Sequence, residues 1–526
     1  MGHHHIEHTE QNSKFVFDGK TKAFTLALTA LGAICLLITG LTDSELHYTR
    51  LWSNILHNGV FFTGIAFASL FFICTHTMAW GGWHVAFKRI PEAMMMYLPV
   101  GAIFLLALGL AVMFDAPGTE FLYMWADEGL VKTDKLIAHK SALLNPMSYL
   151  LTIVVIALWA VFANILRRIS LRQDGENNPA TAVQSLFRMR FWSAIFLPIA
   201  GFSSAFVIWM WVMSVDAHWY STMFAWYATV SLWVSAVSIM LLIAVFLKSR
   251  GLLPAFTKEH MHDLGKYIFG FSIFWTYLWF SQFMLIWYSN NGEETQYFFL
   301  RFEEFKPIFF LNLLINFVLP FFLLIMNSAK RTLGVVGFTA GLVCFGHWLD
   351  FYQMIKPGTW HNLEHSKHEG HDHSGDNHGH TYNYNSSENN SKFDGAQAQL
   401  THFNEPDTTA KDTVATDTAN AITDTTNHAG HDHDGHDHDH HAGHDHAEGD
   451  HAEGDHAEGD HAAGPDAHEH HEKQFIMGVH FPSLLDVGTM LGFLGLFLFV
   501  TFTYLSKASL YPKNDPFMGE SENHHI

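Results

Sequence analysis

The run Cys344-Phe345-Gly346-His347-Trp348-Leu349-Asp350-Phe351-Tyr352 sets an imidazole and a carboxylate within one helical turn at the end of a long apolar stretch. A second run, Ser214-Val215-Asp216-Ala217-His218-Trp219-Tyr220, brings the same residue types to the end of another. An acid at membrane depth costs roughly 2.5–3.5 kcal/mol even on the lenient insertion scale, so such residues face a protein interior, a cavity or a functional path. Imidazole exchanges protons near neutral pH, and a neighbouring carboxylate relays them. The chemistry these types support is proton transfer. Asp216, His218, His347, Asp350 and Tyr352, with Tyr220, Glu293 and Glu294, are expected to converge on one side of the membrane. The plain alternative for the Trp and Tyr residues is an interfacial belt at the headgroups. On the other side, Glu92, Asp263 and His76 are weaker candidates for the second half of a path. Helix capping accounts equally for the two acids, and hydrogen-bonded packing accounts for the lone histidine.

Ten apolar stretches must position these groups: Ala23–Gly40, Gly59–Gly81, Met94–Phe114, Met147–Leu166, Phe191–Met213, Met223–Leu247, Tyr267–Tyr288, Pro307–Met326, Leu333–Ile355 and Leu484–Leu505. None contains Lys or Arg, and each has about the length that crosses ~30 Å of hydrocarbon as a helix. Only helices satisfy a chain's backbone there without a closed barrel. The expected fold is an all-α membrane protein. The first stretch follows Lys14, Lys20 and Lys22 without a small-x-small exit, and reads as a retained anchor. Lys and Arg in the short loops and termini divide 18 to 6 in favour of the side that holds both termini, which is therefore expected to be cytoplasmic. The fifth and ninth stretches share their polar endings, as a repeated four-helix unit would: two bundles, spans 2–5 and 6–9, flanked by spans 1 and 10. The expected division is residues 1–355, a loop 356–473 outside the cytoplasm, and residues 474–526 with the last span.

The net charge of −21 is local: residues 356–473 carry 25 acids and 5 Lys. The rest is near neutral, and nothing supports nucleic-acid binding. This loop also holds 23 of the 39 histidines, in runs such as His431-Asp432-His433-Asp434-Gly435-His436-Asp437-His438-Asp439-His440-His441. Polar low-complexity sequence of this kind cannot bury a core and is expected to be disordered. Its imidazoles, His431, His433, His436, His438, His440 and His441 among them, suit weak capture of Zn, Ni or Cu. A solvated spacer is the alternative, and metal handling is the second reading of the whole chain. Cys35, Cys74 and Cys344 stand alone in apolar stretches, so neither iron–sulfur ligation nor covalent haem is indicated. His57 and His76 lie near opposite ends of one span, and no bis-histidine haem set is apparent.

Two further segments carry a resemblance. His262-Asp263-Leu264-Gly265-Lys266-Tyr267-Ile268-Phe269-Gly270-Phe271 continues through Trp275-Thr276-Tyr277-Leu278-Trp279-Phe280-Ser281-Gln282 to Ile286-Trp287-Tyr288-Ser289-Asn290-Asn291-Gly292-Glu293-Glu294-Thr295. With Phe345–Tyr352, these resemble the NrfD/polysulfide-reductase type of quinol-interacting membrane subunit, and within it the ActF-like subunits of alternative complex III. The similarity covers about residues 14–355 and 474–515 and leaves out the histidine-rich loop. It implies two membrane four-helix bundles in a bacterial inner-membrane quinol:cytochrome c oxidoreductase. The implied partners are an ActC-like membrane subunit, an iron–sulfur subunit, multihaem cytochrome c subunits, lipids and a terminal cytochrome oxidase. Menaquinol or another quinol is the implied substrate, and haem c and iron–sulfur clusters are expected in the partners. The chain itself is expected to bind no cofactor alone, to support assembly, and to conduct protons or serve purely as a scaffold.

Overall fold

In a computed structural model the chain is described for residues 14–176, 178–369 and 475–525, and these are helical with no strand among them. Ten helices are long and apolar enough to cross a membrane: α1 (Gly19–Thr42), α2 (Thr49–Met78), α3 (Arg89–Met113), α4 (Pro146–Gln173), α5 (Pro179–Val215), α6 (Thr222–Ser249), α7 (Lys258–Ser289), α8 (Lys306–Leu324), α9 (Leu333–Glu364) and α10 (Leu484–Leu505). This is an all-α, multi-pass membrane protein. Helix starts follow local chemistry. Asn145 and Asn178 accept from backbone N–H groups ahead of Pro146 and Pro179, and Ser483 and Asp486 form a reciprocal capping box at α10.

The helices group as the spacing of the spans predicts. α2, α3, α4 and α5 pack as one four-helix bundle and α6, α7, α8 and α9 as another, joined where α2 meets α6 and α9. α1 and α10 form an antiparallel pair outside them, in which a Cβ on Gly32 would overlap the Gly492 backbone. Small residues of this kind let helix backbones approach in a bilayer, where apolar burial gives no drive to associate. Lys14 pairs with Ser509, so the segments before α1 and after α10 meet at one end, here the terminal face. The opposite end, which holds the turns after α1, α5 and α7, is the far face.

Three departures from the expected spans matter for function. α2 starts at Thr49 instead of Gly59, because its polar opening turns are buried against α9 and α10 and do not meet lipid. α8 is not uniform: Leu314–Val318 is a π-turn between two α-helical pieces. The helix of the ninth span does not stop at Ile355 but runs through Pro357 and past the Glu364 end of the span to Glu369. Proline 357 has no N–H, so the Gln353 carbonyl loses its helical partner. The guanidinium of Arg301 takes over, with Nε 3.3 Å from Gln353 O and Nη2 3.3 Å from Met354 O. The histidine run 431–441 lies outside the described residues.

Candidate functional site

Asp350 is fully buried in α9, and its two carboxylate oxygens receive donors from every other helix of the second bundle. From α6 the Tyr227 hydroxyl donates to Oδ1, from α7 Trp275 Nε1 donates to Oδ2 at 2.9 Å, and from α8 Asn312 Nδ2 donates to Oδ1 at 2.8 Å. Burying a carboxylate is tolerable only with such compensation. His347, one turn earlier and also fully buried, has Nδ1 4.0 Å from Asp350 Oδ2 and 2.9 Å from Ser231 Oγ on α6. The π-turn in α8 turns Asn316 inward, where its amide donates to Asn312 Oδ1 at 2.5 Å. Gly346 faces that turn, and a Cβ there would overlap both Ile315 and Asn316. π-turns inside helices recur at functional sites.

From Asp350 a polar line leads to the far face. Asn312 Nδ2 also donates to Gln353 Oε1 at 3.1 Å, and Gln353 O meets Arg301, whose Nη2 lies 3.2 Å from Asp216 Oδ2. Beside this line Tyr227, Tyr297, Arg301 and Gln353 border a cavity of about 10 Å³, room for one water. Asp216 therefore joins Asp350 through Asn312, Gln353 and Arg301. His218 does not: its Nε2 turns to Asp134 Oδ2 at 2.6 Å. The backbone there is pinned by Lys140 Nζ, which donates to Ala217 O at 2.7 Å and His218 O at 3.0 Å. Burial brings this Lys140 down to about 8 despite Asp134 and Glu293. Tyr352 also leaves the line, donating at 3.0 Å to Val479 O. Glu293 and Tyr220 are exposed and Glu294 is half-buried on the far face, so the expected eightfold convergence is not formed.

At the terminal face, a second cavity of about 20 Å³ brings together His76, His84, Lys88, Glu92 and Asp515. His76 Nδ1 bonds Phe72 O at 2.9 Å and Nε2 bonds the Tyr267 hydroxyl at 3.1 Å. Glu92 accepts from Arg89 Nη1 and Ser170 Oγ, each at 2.6 Å. Burial pushes the His84 imidazole well below its usual range. Burial would raise Asp515, but its ion pair with Lys88 overrides this and holds the carboxyl low. Asp263 stands apart from this cavity. It lies inside the second turn of α7, where Thr257 and His260 do the capping, and it binds Lys266 Nζ and His524 Nε2, each at 2.6 Å. Between the two polar ends, α6 carries the fully buried hydroxyls of Ser231, Ser235 and Ser238 on one face.

Asn312 and Asn316 were detectable in the sequence as two amides one turn apart in an apolar span. Arg301 was not, because it sits in a polar segment between spans. Among the described residues no group of three or more His, Cys, Asp or Glu is arranged to hold a metal ion. No family model matches the chain, and no curated protein is similar to it.

Proposed function

We propose that this chain is an integral membrane subunit of a quinol:cytochrome c oxidoreductase of the alternative complex III type, supporting assembly and conducting protons. Asp350 carries the reading: a fully buried acid tied to all four helices of one bundle and linked to a far-face carboxylate. A hydroquinone gives up its protons with its electrons, so a complex that oxidises it needs acids and imidazoles that pass protons on. The cluster at His76, His84 and Glu92 supplies comparable groups at the terminal face. The resemblance of the α7 and α9 segments to ActF-like subunits supports the same reading. It assigns haem c, iron–sulfur clusters and the ActC-like quinol site to partner subunits. In this reading the membrane is the bacterial inner membrane and the terminal face is cytoplasmic.

Purification from native membranes in mild detergent tests the assignment. We expect multihaem cytochrome and iron–sulfur subunits in fixed stoichiometry with this chain. Recovery of the chain alone with tightly bound stoichiometric zinc would contradict the assignment and favour metal handling through the histidine-rich loop.

A further inference from the structure

A second buried charge cluster lies at the far face, on the other side of α9 from Arg301. Lys356 of α9 is buried and donates at 2.8 Å to Ser53 Oγ of α2. Asp486 at the start of α10 is fully buried and accepts from Asn54 Nδ2 at 2.7 Å. Asp43, in the turn before α2, is buried and accepts from Leu51 N at 3.1 Å. Arg50 lies between them, with Nη2 3.3 Å from Ser483 Oγ. Lys356 has donors to spare beyond Ser53. Facing the same region, Asp43 Oδ1, Thr49 Oγ1, Arg50 Nε, Asn54 Oδ1 and His57 Nδ1 are buried with no protein partner. His57 Nε2 bonds the Trp348 carbonyl at 2.9 Å, so its proton is on Nε2 and Nδ1 is left as an acceptor. Buried polar atoms in such density are satisfied by water.

We propose that this cluster is a hydrated proton-exchange site, with Asp43 as the group that takes up and releases the proton and Lys356 as its controlling charge. The site lies apart from the Asp350 line, and its role in turnover rests on the proton-conducting reading above. The charges that act on Asp43 are Arg50 on α2 and Lys356 on α9, while Asp486 on α10, His57 on α2 and Tyr352 on α9 complete the cluster through their interactions with Lys356 and Arg50. Burial raises the Asp43 carboxyl to about 6, against the opposing pull of the Leu51 N–H, Arg50 and Lys356. That setting lets it change charge near neutral pH. The segment after the histidine-rich loop packs against this cluster. Gly478 has a φ of 91°, and a Cβ there would overlap the Arg50 guanidinium.

Infrared titration of the full chain in lipid nanodiscs tests the site. We expect a carboxylic C=O band that disappears with a midpoint near pH 6 and is absent in Asp43→Asn. Lys356 favours the ionised form, so Lys356→Met should move the midpoint upward by about 1 unit, whereas Lys356→Arg should hold it. A band that survives Asp43→Asn, or a midpoint unmoved by Lys356→Met in folded protein, would overturn the proposal. If Lys356→Met does not fold, Ser53→Ala serves instead, since it alters the lysine's anchor without removing the charge. It should shift the midpoint, and an unmoved midpoint there would likewise overturn the proposal. This titration is independent of Asp350. Loss of the Asp350 proton path would leave it intact, and its own failure would leave that path standing.

Discussion

Arg301 is a buried cation that satisfies three backbone carbonyls and one acid. It donates to Tyr297 O at 2.9 Å as well as to Gln353, Met354 and Asp216, and its guanidinium stacks 3.3 Å over the Tyr297 ring. Removing one partner of a buried ion pair costs about 3–5 kcal/mol, because the other charge is left uncompensated. Arg301→Met should therefore lower stability by about that much in thermal unfolding. If the Pro357 gap is part of what Arg301 repairs, Pro357→Ala should recover some of the loss by restoring a backbone donor to Gln353. A double-mutant cycle measures the coupling, and strictly additive effects would refute it. Asp350 and His347 were legible in the sequence through their place in an apolar span. Nothing local marks Arg301, whose partners beyond Tyr297 lie 52 to 85 residues away in the chain.

Among the elements, α8 and α9 fit each other through a glycine and a π-turn. Gly346→Ala would press a methyl into Ile315 and Asn316, and overpacking of this kind costs about 1–3 kcal/mol. It should also pull Asn312 away from Asp350, lowering proton flux together with stability. Gly341→Ala, on the same helix with no atom near its Cβ, is the control and should be neutral or mildly stabilising. Equal behaviour of the two variants would show that the close approach has no role. Hydropathy located this helix pair but not the π-turn, which comes from tertiary packing. Pro357-Gly358 likewise reads as a helix stop, which is why Lys356 counts as a loop charge in the sequence and as a buried one in the fold.

Across the whole molecule, ten spans and their pairing into two bundles were legible, because lipid forces apolar length and helical backbone on every crossing. The polar interior was legible only in part. His76 and Glu92 share a cavity as two separate candidates from different spans, but Lys88 and Asp515, which complete it, are 427 residues apart. Asn54 and Asp486 of the far-face cluster are 432 apart. No local pattern encodes such pairs. The account as a whole stands on Asp350 carrying protons and not merely holding four helices together. The direct measurement is proton flux into vesicles that contain the purified complex, driven by a membrane potential, with Asp350→Asn compared to the parent. Asparagine keeps the size and one acceptor oxygen but cannot exchange a proton, so flux should fall by at least about tenfold while the complex stays assembled. Unchanged flux in an intact Asp350→Asn complex would contradict the account and leave the acid as a structural tie.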